Sequence, residues 1–335
     1  MRSNIGVRGT DISEMDLSGA SLADMFTVTY DSQTKWPSKT HLPRGFDPIQ
    51  VMRVGQDPGL GLRTLHKRQI TGRGVSIAVI DKPILPSHRE FSDRIHYIEV
   101  SPGDDRNAQL HYHGAVIASM LAGRNVGVAP DSTIYYFAVP DSADPFLDYT
   151  RALARLLELN SSLPVAARIR VVNISAGYTG LDATRPSVTS WESMIRQAEQ
   201  QGVAVVHCGP TFPLWYLVAG SPPNHDRNTV DSYEPAIWLK KQALGDPWPD
   251  ALYVPGDYRT GAGTASPNDY VYFGEGGNSW AAPYLSGLVA LAIQKEPSVP
   301  NTVLLRLLNE TSVRNANGIR VLNPTKFLEA VEQYK

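Results

Sequence analysis

The 335-residue sequence predicts a three-layer α/β/α domain on a mainly parallel, doubly wound sheet. Three observations lead there. Short apolar, β-branched runs, such as VSIAVI at 75–80 and RVVNIS at 170–175, read as strands buried on both faces. Segments of helical length fall between such runs, and strands alternating with helices argue for a parallel sheet covered on both sides. With 42% hydrophobic and 19% charged residues the chain is long enough for a sizeable core, and its 27 glycines and 25 prolines call for many shaped loops.

Taken in order, residues 1–25 carry Leu17 and Leu22 five apart beside small residues, a faint pentapeptide-like spacing. Such coils need several turns to bury a core, so an irregular or helical lead-in is expected. Residues 26–58, rich in Pro, Gly and Asp, read as a wrapping arm, and 61–69 as a short helix before the turn at 71–74. The strand at 75–80 is followed by a helix at 113–122, a strand at 133–139 and an amphipathic helix at 149–160 with Leu153, Leu156 and Leu157 along one side. Then come a strand at 170–175, a helix at 190–201 and a strand at 202–206. Residues 209–252 show weak periodicity and read as a long elaborated loop carrying Trp215, Trp238 and Trp248. Strands are expected again at 251–254 and 270–273. A long apolar helix follows at 279–294, with Pro283 expected in the first turn, where proline is tolerated. Helices at 303–308 and 324–333 close the chain. The division expected is an N-terminal arm over 1–59 and one catalytic-size domain over 60–335.

Thirty-one basic against thirty-three acidic residues leave a net charge of −2, which gives no electrostatic case for nucleic acid or an anionic membrane as partner. No apolar stretch reaches eighteen residues, so no transmembrane helix is expected. The single cysteine, Cys208, excludes an intramolecular disulfide and fits a reducing compartment. The opening residues lack the apolar run of a signal peptide. A cytoplasmic location is therefore expected.

In open α/β sheets function gathers at the carboxyl ends of the strands. Asp81 ends the first such strand, His113 opens a helix of small residues, and Ser279 follows two glycines at the start of the long apolar helix. Each alone has an ordinary reading: a turn aspartate, half of a metal-binding pair with His111, an N-cap serine. At a helix start His113 faces the positive end of the dipole, which disfavours its imidazolium and suits a neutral base. Together the three can act as one unit. A serine needs a base, and the base needs an acid to fix its tautomer. The string around Ser279 also resembles a nucleophile elbow, but that arrangement requires a histidine after the serine, and the last one here is His225.

These segments resemble the subtilisin-like serine proteases, or subtilases. Val79-Ile80-Asp81 resembles the family's aspartate motif, and His113-Gly114 with Val116 and Ala118 its histidine motif. Gly277-Asn278-Ser279-Trp280-Ala281-Ala282-Pro283 resembles its serine motif. Asn173 to Gly177 resembles the strand that pairs with extended substrate, and Gly127-Val128-Ala129-Pro130 the family's turn of that composition. The resemblance covers roughly residues 60–331. It implies peptide hydrolysis through an acyl-enzyme, with Ser279 as nucleophile, His113 as base and then acid, and Asp81 as orienting carboxylate. Ser175, Ala176 and Gly177 would offer main-chain groups to an extended peptide or protein substrate. No cofactor is required. The resemblance allows calcium as a structural ion, for which Asp104-Asp105 and the loop with Asp226, Asp231 and Asp246 offer oxygen ligands.

The sequence departs from the family at the oxyanion donor. Where an asparagine is usual, residues 205–211 hold none. Counting without gaps from Gly202 puts Thr211 there, and a shift of one puts Pro210, which cannot donate. Asn278 stands where threonine is usual and Tyr284 where histidine is common. The alternative is a pseudoprotease that binds peptide segments but hydrolyses them poorly. Cys208 beside His207 invites a cysteine-protease reading, but neighbours on a strand point to opposite faces and cannot pair directly.

Overall fold

The computed structural model describes residues 6–100, 110–180, 182–241, 248 and 250–334. The chain opens with α1 (Leu22–Thr27), β1 (Tyr30–Asp31), α2 (Pro48–Gly55) and α3 (Leu62–Lys67). The central unit follows as β2 (Ser76–Asp81), β3 (Ile95–Glu99), α4 (Tyr112–Ala122), β4 (Thr133–Ala138), α5 (Pro145–Ser162), β5 (Ile169–Ile174), α6 (Pro186–Gln200) and β6 (Ala204–His207). Then come β7 (Tyr216–Gly220), β8 (Glu234–Pro235), α7 (Ile237–Lys241), β9 (Leu252–Asp257), β10 (Arg259–Ala262) and β11 (Tyr270–Phe273). The chain closes with α8 (Asn278–Lys295), α9 (Asn301–Glu310), β12 (Val313–Arg314), β13 (Arg320–Val321) and α10 (Pro324–Gln333).

The predicted architecture is present. A five-stranded sheet runs in the order β3-β4-β2-β5-β6 with every pairing parallel. Successive side chains of a strand face opposite ways, and in β2 this builds the layers. Ile77 and Val79 pack with Ala115, Ala118 and Leu121 of α4 and Leu285 and Leu288 of α8. Ala78 and Ile80 pack on the other face with Phe146 and Leu153 of α5 and Trp191 of α6. Because both faces are covered, all six residues of β2 are buried.

The segment read as a long loop contains structure the sequence reading missed. β7 lies parallel to β9, and β9 to β13, with β8 and β12 closing the edges antiparallel. Every residue of β7 is buried. A strand hidden on both sides shows no alternation of apolar and polar residues, and one of five residues among Pro and Trp offers little else to read. A third sheet, β1-β11-β10, carries the N-terminal segment into the body: Tyr30 pairs with Tyr272 and Asp31 with Val271.

Candidate active site

Alternation along β2 turns Asp81 to the same face as Ile77 and Val79, the face covered by α4 and α8. Those two helices begin with His113 in the first turn of one and Ser279 in the first turn of the other. The three candidates thus come to the carboxyl end of the central strand, where the strand order reverses.

Asp81 is 6% exposed, and the Nδ1 of His113 lies 2.9 Å from both of its carboxylate oxygens. Burial pulls the imidazolium of His113 down, but the charge of Asp81 and its hydrogen bond outweigh burial and leave the pKa above the usual 6.5. The carboxylate thus overrides the effect expected of the helix start. His111 spends its Nδ1 accepting the backbone N–H of His113 as the cap of α4. Trp280 stands edge-on to the His113 ring, centroids 5.5 Å apart, and packs behind it against Phe273.

Ser279 is fixed by a reciprocal clasp. Its hydroxyl donates to the Ser175 carbonyl at 3.0 Å, and the Ser175 hydroxyl donates to the Ser279 carbonyl at 2.9 Å. That carbonyl is open for a covalent reason. Pro283 is the sixth residue of α8, inside the helix rather than in the first turn as expected. It stands four residues after Ser279 and has no N–H to give. Behind Ser175, the Asn173 amide donates to the Ser175 hydroxyl and accepts from Ser286, all buried or nearly so. Sequence reasoning did not single out Asn173 or Ser286. The misplaced Pro283 was the available signal.

Of the three candidate substrate-binding residues, Ala176 uses its N–H on Ile174 and its carbonyl on Cys208. Among the described residues nothing bonds to the main-chain groups of Gly177. A Cβ at Gly177 would sit 2.5 Å from the Cys208 carbonyl carbon, so only glycine lets these two segments lie together. Beside them is a cavity of about 340 Å³ lined by Cys208, Gly209, Pro210, Phe212, Trp215 and Asn278, among others.

The structure does not bring Thr211 to this cavity. Gly209 turns its N–H back onto His207 Nδ1 at 3.1 Å, so Pro210 faces the cavity beside Asn278. Thr211 lines a separate cavity with Glu192, Arg196 and His207. Cys208 and His207 do point apart. His207 packs on Trp191 and Phe212, while the Cys208 sulfur meets the hydroxyls of Tyr216 and Ser279. Burial pushes the thiol up to about 11 and the imidazole down to about 4, leaving both neutral and the thiol a poor nucleophile.

Residues 72–209 match the model of the Subtilase family. The alkaline elastase YaB of Bacillus sp. (strain YaB) is 26% identical over 254 residues, 70% of this chain and 58% of the elastase. Subtilisin Savinase of Lederbergia lenta is 27% identical over 256 residues, 70% of this chain and 82% of Savinase. Over residues 72–209, less than half of the chain, the protein resembles the subtilases. Solved structures share the fold of this chain at lower identity. The prenylagaramide maturation protease PagA is 18% identical with a TM-score of 0.58, covering 82% of this chain and 99% of its own. The A-subunit of the AB5 toxin from E. coli is also 18% identical, at a TM-score of 0.59, covering 82% and 98%. The matched region spans less than two thirds of the elastase's own length.

The matches overturn the cytoplasmic expectation. Proteases similar to this chain are typically secreted, so one cysteine and an opening segment without an apolar run do not argue for the cytoplasm. Among the described residues no helix of the chain is long and apolar enough to cross a membrane. Of the acids named for calcium, Asp104, Asp105 and Asp246 lie outside the described residues. Asp226 accepts from Asn228 and Thr229 in its own loop, and Asp231 from Ala316.

Proposed function

We propose that this chain is a subtilase, a serine endopeptidase working through an acyl-enzyme. The observation that supports it most is the buried Asp81 bonded to His113, with Ser279 delivered to the same face of the sheet. For attack, the Ser279 hydroxyl leaves the Ser175 carbonyl and turns to His113, a bond that commonly tightens only with substrate in place. Oγ then bonds to the scissile carbonyl carbon as its proton passes to Nε2 and the carbonyl electron pair moves onto oxygen. Collapse expels the amine, which takes the proton from His113, and water repeats the sequence to release the acid. An extended peptide would lie along Ser175, Ala176 and Gly177, pairing with the open groups of Gly177.

A second reading is a peptide-binding pseudoprotease. What favours it is Pro210 at the cavity beside Ser279, since proline brings no side-chain donor and no N–H. A fluorophosphonate probe separates the two. The serine-peptidase reading expects labelling of the parent and none of Ser279→Ala or His113→Ala. A folded parent that stays unlabelled would sink the peptidase and leave the scaffold.

A further inference from the structure

An acyl transfer needs donors aimed at the oxygen that gains charge, and here the usual side of the site is closed by Pro210. Tyr178 gives its hydroxyl to Glu192, Tyr216 to the His207 carbonyl and Cys208 sulfur, and Gly209 its N–H to His207. Trp215 stands at the rim, 53% exposed, with its ring tilted against that of Trp248. Asn278 is different. Its Oδ1 is buried without a partner, and among the described residues nothing accepts from its Nδ2. A planar amide holds its oxygen and nitrogen on opposite branches of one carbon. With the oxygen packed inward, the NH2 is the end turned to the cavity the residue lines. Asn278 also precedes Ser279 directly, and α8 begins without a side-chain cap, so the Ser279 N–H is one of the open donors of the helix start.

We infer that the side-chain amide of Asn278, with the Ser279 N–H, is the oxyanion hole of the proposed hydrolysis, replacing a donor that Pro210 cannot supply. The inference rests on the reading of Ser279 as nucleophile. As Oγ bonds to the carbonyl carbon, the electron pair that moves to oxygen is met by N–H from Nδ2, and no proton is transferred there. The hole is thereby built from one helix start instead of from both sides of the cleft.

The test compares parent, Asn278→Ala and the near-isosteric Asn278→Asp on a peptide amide substrate, with fluorophosphonate labelling rates and melting curves in parallel. The expected result is a fall in kcat of about 10²–10³ with KM within threefold, and slower labelling at a preserved melting temperature. If Asn278→Ala does not fold, Asn278→Asp decides, since it keeps the shape and loses the donor. An active parent whose folded Asn278 variant keeps kcat within threefold overturns this inference alone. A loss confined to Thr211→Ala overturns it and returns the role to the threonine. A parent inert to probe and peptide overturns the peptidase reading and this inference together.

Discussion

His113 shows how one residue can be set by opposing forces. Burial disfavours its charged form, and the charge and hydrogen bond of Asp81 favour it more. The folded pKa therefore lies above 6.5, and the stability this pairing contributes is present below 6.5 and lost as pH rises through the folded pKa. Catalysis runs the other way, because the base must be neutral, so kcat/KM should climb as pH rises through that same value. Asp81→Asn leaves burial unopposed. We expect its imidazole to titrate below 6.5 by NMR and kcat to drop by about 10⁴-fold, the size of effect seen when a triad loses its acid. An unmoved titration would show that Asp81 does not set the base.

Between elements, the tie of β5 to α8 depends on a missing hydrogen. Pro283 frees the Ser279 carbonyl, and the Ser175 hydroxyl occupies it. Ser175→Ala would strand that carbonyl and the Asn173 amide, at a cost of about 1–3 kcal/mol for a buried group left unpaired. Denaturant unfolding should show that loss. Restoring an N–H with Pro283→Ala in the same chain should recover part of it, and a purely additive pair would argue against the coupling. Much of this site was legible in the sequence. Asp81, His113 and Ser279 stand out because strand ends and helix starts announce themselves by pattern. The clasp did not, because it depends on counting α8 from Asn278, one residue earlier than the pattern suggested. Thr211 was reached by counting through a turn, and the folding back of Gly209 onto His207 puts Pro210 at the cavity instead. Strand β7 left no periodic trace because both its faces are buried.

Over the whole molecule, two buried titratable groups pull the pH dependence of stability in opposite directions. Burial raises Asp257 to about 7, although it accepts the N–H groups of Ile237 and Gly276, and burial lowers His207 to about 4. Between pH 4 and 7 the native state holds the Asp257 proton that the unfolded chain has lost, so its share of stability falls as pH rises. The unfolded chain holds the His207 proton over most of the same window, so its share grows as pH rises. Asp257→Asn removes the first and should make the melting temperature climb more steeply from pH 4 to 7 than in the parent. Equal slopes would mean that Asp257 does not titrate there. The same scale gives the N-terminal segment its weight. Tyr272 donates to the Phe26 carbonyl, Tyr30 to Pro48, and Met25, Phe26, Tyr30 and Phe46 are buried against Tyr258 and Tyr272. Strand β1 is the outer rail of the ribbon whose chain continues four residues later into the turn before Ser279. A nick after Asp31 would cut the chain without freeing the piece. A maturation step that discarded residues 6–58 would have to melt an aromatic cluster first.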